Sequence, residues 1–249
     1  MISIKNNSEI EIMAEGGKKL ARVKKSLVEA TREGVRASDI ENLAVKLIKE
    51  EGAEASFKKV PKYHWATCIN VNEGLVHGIP ISSLIFKKGD LVSIDVGVYY
   101  KGFHTDTSIS VGIDLSPENQ KFLNTGREAL AKALKEVKKG NYIYDISKAI
   151  EDTIEEAGYT TVKALVGHGV GRELHEEPQI PCFLPGKRTE SSKIEIGMVL
   201  AVEVMYAMGS DKVEVLEDGW TIAMRDGKIS GLFEDTIAVT EKGQLVLTR

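Results

Sequence analysis

The chain has 249 residues, 42% of them hydrophobic and 28% charged, and a formal net charge of −4. That length suits one large domain with a sizeable core, while the mixed charge excludes a basic nucleic-acid footprint and the apolar content excludes disorder. The apolar runs are far too short to span a membrane, the opening MISIKNNSEIEIM has no signal-peptide pattern, and two cysteines, Cys68 and Cys182, are too few for a disulfide framework. A soluble cytoplasmic protein in a reducing setting is the expectation.

The spacing of Ile10, Met13, Gly17, Leu20, Ala21, Leu27 and Val28 predicts an amphipathic helix over 8–33. Ser38 or Asp39 caps a second helix, with Ile40, Leu43, Ala44, Leu47 and Ile48 on one face and Gly52 closing it. Strands follow at Thr67–Val71, Leu91–Tyr99 and Thr105–Gly112. Pro117 opens a third helix, and Asp145 caps a fourth that Gly158 closes. Four more strands read as Val199–Met205, Thr221–Met224, Lys228–Leu232 and Thr236–Val239, with Asp226-Gly227 as a hairpin turn. The order helix, helix, strands occurs twice. Shifted by 106 residues, segment 34–52 matches segment 140–158 at six of nineteen positions. Shared caps and periodicity give such matches without duplication too, so both origins stay open. The expectation is a single α+β domain of two similar halves, about 1–115 and 116–249, with an antiparallel sheet, helices on its outer face and a site between the halves.

Four carboxylates interrupt apolar strands: Asp95 in LVSIDVGVYY, Asp106 in GFHTDTSISVG, Glu203 in MVLAVEVMYAM and Glu234 in GLFEDTIAVT. Acidic residues are depleted in strands and costly if buried unpaired. A turn centred between Tyr100 and Lys101 would set Asp95 directly opposite Asp106, with Cβ atoms about 4.5–5.5 Å apart and like charges repelling. His168, in VGHGVGRELHEEP, adds an imidazole; that run holds two of the chain's five histidines, and its glycines allow close backbone approach. Four carboxylates and one imidazole balance two divalent cations, a known hydrolytic arrangement that polarises carbonyls and eases proton loss from water. Oxygen-rich donors with one histidine suit Mn, Fe, Co or Zn and not a structural thiolate zinc site.

The motifs CINVNEGLVHGIP (68–80), SIDVGVYYKGFHTDTS (93–108), GHGVGRELHEEP (167–178), AVEVM (201–205), DGWT (218–221) and FEDT (233–236) resemble those of the methionine aminopeptidases in the pita-bread metallopeptidase family. The resemblance runs from the first helix to Leu247. It implies the pita-bread fold, two divalent ions, and removal of N-terminal methionine from nascent polypeptides when the second residue is small and uncharged. It further implies that Asp95 binds one metal, Asp106 and Glu234 bridge both, and His168 and Glu203 complete the second. Glu203 becomes the candidate general base, His175 a substrate contact that stabilises the tetrahedral intermediate, and His77 a contact to the scissile amide or leaving group. Tyr63, Cys68, Leu174, Trp220 and Phe233 resemble the lining of the methionine pocket, while His64 and His104 receive no catalytic role. A monomer is the family expectation, and ribosome contact is compatible with action on nascent chains.

Two departures stand out. Val204 replaces the proline of the usual Glu-Pro-Met, and Asp235 replaces the histidine of Glu-His-Thr, placing a second acid beside Glu234. Only 34 residues separate His168 from Glu203, which fits the short type I form without a helical insertion. Aminopeptidase P and prolidase share the ligands but usually carry a large extra N-terminal domain, which is not expected here because the first helix begins near residue 8. Non-catalytic binding modules of the same fold normally lack ligands, and here none of the five is missing.

Overall fold

A computed structural model describes residues 2–249. Helix α1 (Asn7–Ala30) begins where Asn6 accepts the Glu9 N–H and the Glu9 carboxylate accepts the Asn6 N–H. It stops at Ala30, short of the expected residue 33, where Thr31 turns to an extended backbone (φ −78°, ψ 104°) while its N–H and hydroxyl donate to the Leu27 carbonyl. Helix α2 (Ala37–Glu50) and helix α4 (Ile143–Glu156) are each 14 residues long and lie 106 residues apart. Both start two residues before the acid expected to cap them. Asp39 and Asp145 sit inside the first turn and accept the N–H of Arg36 at 3.2 Å and of Tyr142 at 2.8 Å. Helix α3 (Pro117–Glu136) opens with Pro117 behind the capping Ser116.

The strands are β1 (Glu54–Ala55), β2 (Thr67–Val71), β3 (Gly74–Val76), β4 (Leu91–Tyr100), β5 (Phe103–Gly112), β6 (Thr160–Thr161), β7 (Val166–Gly169), β8 (Glu176–Pro181), β9 (Val199–Ala207), β10 (Val213–Val215), β11 (Ile222–Met224), β12 (Ser230–Thr240) and β13 (Gly243–Val246). Ten form one antiparallel sheet along the path β1-β4-β5-β12-β9-β7-β8, with β2 on β4, β6 on β9 and β13 on β12. A small second sheet has the order β10-β11-β3.

Val92, Ile94, Val96 and Val98 of β4 pack with the apolar faces of α1 and α2. Leu200, Val202, Val204 and Tyr206 of β9, with Phe233, Ile237 and Val239 of β12, join the cluster built on α3 and α4. Strand alternation therefore turns Asp95, Glu203 and Glu234 to the other face of the sheet. The two half-sheets are joined side by side, each backed by its own helix pair.

Three sequence expectations change. The two strands expected at Lys228–Leu232 and Thr236–Val239 are one continuous strand, β12, with Glu234 near its middle. Asp226-Gly227 is a turn but not a hairpin, because β11 and β12 belong to different sheets. Its carboxylate instead accepts the N–H groups of Ser210 at 2.8 Å and Lys228 at 3.1 Å. The β4–β5 turn falls on Lys101-Gly102, whose φ values of 47° and 92° suit a two-residue hairpin with glycine second. Asp95 consequently pairs with Ser108, and Asp106 with Gly97. The two aspartates share a face but stand diagonally, not opposed. Direct opposition of acids occurs in the other half, between Glu203 and Glu234.

Candidate metal centre and active site

The halves meet where β5 and β12 pair, and their register spans only Glu234↔Ser108 and Asp235↔Thr107. Side-chain hydroxyls extend this short ladder. Thr107 Oγ1 donates to the Glu234 carbonyl at 2.8 Å, Thr236 Oγ1 to the Asp106 carbonyl at 2.7 Å, and Ser110 Oγ to the Leu232 carbonyl at 2.9 Å. Beside this seam lies a cavity of about 190 Å³. Asp95, Asp106, His168, Glu203 and Glu234 line it, together with His77, His175, Tyr63, Cys68, Leu174 and Trp220.

Phe233 does not line the cavity. It alternates with Glu234 along β12, so its ring faces the helices, where the Arg127 guanidinium lies 5.9 Å from its centre. The apolar wall is completed instead by Phe57, Val60 and Val76, which no periodic pattern marked. Tyr63 anchors this wall. Its hydroxyl donates to the Thr67 carbonyl at 2.8 Å and touches Cys68 Sγ at 3.1 Å, and its ring meets Trp220 edge-on at 5.0 Å. His104 and His64 lie outside the cavity lining. His104 Nδ1 bonds with Ser56 Oγ and its ring packs on Tyr99, while His64 packs against Trp65.

The cavity floor is a concentration of buried acid. Burial, and then the neighbouring carboxylates, push Asp95 and Glu234 well above the usual carboxylate range; burial and Asp106 do the same to Glu203. Burial raises Asp106 to about 7. Among the described residues no lysine or arginine forms an ion pair with any of the four. Asp95 Oδ1 and Glu234 Oε1 are buried without a hydrogen-bond partner, an expensive condition for a carboxylate oxygen.

His168 points the same way. Its Nδ1 is 2.8 Å from the Gly169 carbonyl, so that nitrogen carries the proton and Nε2 presents a lone pair. Burial, and then the neighbouring His175 imidazole, lowers it to about 3 and keeps the ring neutral. The Nε2 lone pair faces Glu203 Oε1 at 3.5 Å. Donor atoms of Asp106, His168 and Glu234 all lie within 4.8 Å of one another. Orphaned carboxylate oxygens converging with a neutral imidazole fit a divalent cation. The backbone permits this convergence at Gly169, where a Cβ would come within 2.3 Å of the Glu177 carbonyl oxygen.

His175 packs edge-on against His168 with ring centres 4.5 Å apart, and burial lowers its pKa. His77 is lowered by burial and then by His175, and it holds a left-handed backbone at φ 59°. Such a conformation in a non-glycine residue needs support from its surroundings. Asn70 supplies it, its Oδ1 accepting the Gly78 N–H at 3.0 Å while the Gly78 carbonyl accepts the Ile69 N–H at 2.9 Å. Asn70 sits in CINVNE, and sequence reading passed it over as an ordinary strand residue.

The family model for metallopeptidase family M24 matches residues 11–241. The chain belongs to that family. Over 249 residues it is 38% identical to the methionine aminopeptidase of Clostridium perfringens, covering 100% of this chain and 99% of the relative. It is 39% identical to methionine aminopeptidase 1 of Bacillus subtilis over 250 residues, covering 100% of both. The crystal structure of methionine aminopeptidase from Thermotoga maritima superposes with a TM-score of 0.96 at 39% identity, covering 100% of each chain. The prolidase from Pyrococcus furiosus shares the fold at a TM-score of 0.79 and 24% identity, with 99% of this chain matching 65% of that one. The pita-bread architecture expected from the motifs is therefore the fold of this M24 metallopeptidase. No described helix is long and apolar enough to cross a membrane.

Proposed function

We propose that this protein is a metal-dependent methionine aminopeptidase that removes the N-terminal methionine of newly made polypeptides and peptides, with preference for a small, uncharged second residue. What carries the reading is the convergence of Asp95, Asp106, His168, Glu203 and Glu234 on one wall of a cavity whose other wall is apolar. Relatives named as methionine aminopeptidases along the full length supply the substrate.

In this reading Asp95, Asp106, His168, Glu203 and Glu234 would together hold two divalent ions of the Mn, Fe, Co or Zn class at the floor. When bound, such ions supply Lewis-acid polarisation of the scissile carbonyl and positive charge to match the carboxylates. Tyr63, Cys68, Leu174 and Trp220, with Phe57 and Val60, surround the methionine side chain, whose thioether suits an aromatic, apolar wall. His175, kept neutral by burial, donates to the substrate carbonyl oxygen as charge develops there. Glu203, whose affinity for protons is raised by burial, takes a proton from the attacking water and passes it to the departing amine. His77 contacts the nitrogen on the leaving side. The peptide C–N bond breaks, and methionine leaves with the water oxygen on its new carboxylate.

The test is release of free methionine from Met-Gly-Met-Met by chelator-stripped protein after addition of Mn, Fe, Co or Zn, with Asp106→Ala as control. Metal-dependent release that the variant lacks is the expected result. A peptide left intact with every metal would refute the activity, and cleavage only of substrates with proline second would reassign it to the prolidase branch.

A further inference from the structure

The residue after Glu234 is a second acid, and its surroundings differ from those of the cavity floor. Asp235 is only 2% exposed and alternates to the opposite face of β12. There it accepts from Lys24 Nζ of α1 at 3.1 Å, Thr248 Oγ1 at 2.8 Å and Arg249 Nε at 2.8 Å. The charge that the sequence places beside Glu234 is thus matched on the helix side of the sheet. Lys24 does more than match it. The same Nζ donates to Thr107 Oγ1 at 2.8 Å, and that hydroxyl donates to the Glu234 carbonyl at 2.8 Å.

The geometry of the seam gives this contact its meaning. Asp106 and Glu234 come from different halves, yet their ligand oxygens must stay within one coordination distance of a shared site. The direct pairing that sets their separation has two register positions, and one of them is Asp235↔Thr107. Lys24 grips both members of that pair, one on each strand. A slip of one strand against the other breaks the Lys24 contacts. A buried ion pair contributes little net stability, so its physical use here is to hold register.

We propose that Lys24 is a positioning residue for the metal centre, clamping Thr107 of β5 to Asp235 of β12 from the helix side and so setting the spacing of Asp106 and Glu234. This rests on the reading of Asp106 and Glu234 as metal ligands. Arg249 also binds Asp235 but makes no hydrogen bond to β5, so it neutralises charge without spanning the seam.

The experiment compares wild type, Lys24→Met, Lys24→Arg, Asp235→Asn and Arg249→Met as full-length chains stripped of metal. Calorimetric titration with Mn and Co gives affinities, visible absorption of the Co-loaded protein reports ligand geometry, and thermal unfolding without metal reports folding. Lys24→Met is expected to weaken metal binding about tenfold or more and to change the Co spectrum, the scale typical of lost support behind a ligand. Lys24→Arg should recover part of both. Arg249→Met should stay within about threefold of wild type in affinity, since a charge partner alone does not orient the ligands. Asp235→Asn keeps shape and loosens the clamp, so it carries the test if Lys24→Met does not fold. A lower unfolding temperature with wild-type affinity and a wild-type Co spectrum would overturn the proposal and leave Lys24 a structural residue. Wild type that cleaves Met-Gly-Met-Met with metal secures the underlying reading separately. Wild type that takes up no divalent ion would sink both.

Discussion

Glu234→Gln should make the metal-free protein more stable and the metal-loaded protein no better than wild type. The ligand oxygens of Asp106 and Glu234 lie within 4.8 Å, and two unit charges at that distance repel by about 3.5 kcal/mol at an effective dielectric constant of about 20. Taking a proton avoids the repulsion, but at pH 8 that costs about 1.4 kcal/mol for each pH unit above the ordinary glutamate value. Either route leaves the apo cluster strained, and a neutral amide of the same shape relieves it. Its N–H can also donate to Asp106. A gain of about 2 kcal/mol at pH 8 is expected, which raises Tm by about 4–8 °C in a chain of this size. Metal reverses the advantage. At a metal concentration of about 1,000 times Kd wild type gains about 4.1 kcal/mol, whereas a variant binding about 100-fold more weakly gains about 1.4 kcal/mol. The assay is scanning calorimetry at pH 8 with chelator and with saturating Mn. A variant less stable than wild type in chelator would show that the buried carboxylates are not in conflict, and the argument for a cation at their centre would lose its main support.

Metal binding should release protons, because burial raises Asp106 to about 7 and pushes Asp95 above the usual carboxylate range, and ligands must be ionised. Apparent affinity then falls by about tenfold per pH unit for each proton displaced as pH drops through 7; binding heats that do not depend on buffer ionisation enthalpy would contradict this. Asn70→Ala removes the acceptor of the Gly78 N–H and should cost about 1 kcal/mol of stability, while kcat/KM falls about tenfold or more as His77 loses its backbone support. Metal content should stay at the wild-type level, and an unchanged kcat/KM would remove His77 from the mechanism. Tyr206→Phe deletes a buried hydroxyl that donates to the Phe122 carbonyl at 2.8 Å, and should lower stability by about 1–2 kcal/mol with kcat unchanged; denaturant unfolding and steady-state kinetics check it.

The sequence by itself determined the helices and marked the five polar side chains that gather at one cavity. Helical periodicity and capping are local, and an acid inside an apolar strand is conspicuous wherever that strand goes. Local signals also carried the likeness of α2 to α4, although the acids assumed to cap them act from within the first turn. Tertiary structure decided the rest. The hairpin turn sits one residue later than the sequence suggested, so Asp95 and Asp106 are diagonal and the opposed acids are Glu203 and Glu234. Turn placement shifts every partner in a ladder, and several two-residue turns fit YYKG equally well. Phe233 left the cavity because a strand cannot show adjacent residues to the same face. Asp235 looked like an added charge at the metal until Lys24, 211 positions away, proved to hold it from behind. Asn70, Phe57 and Val60 gave no local signal at all, since their work is contact with segments distant in the chain. Periodicity records which face a residue shows. What stands on the far side of that face is set only when the two halves close on each other.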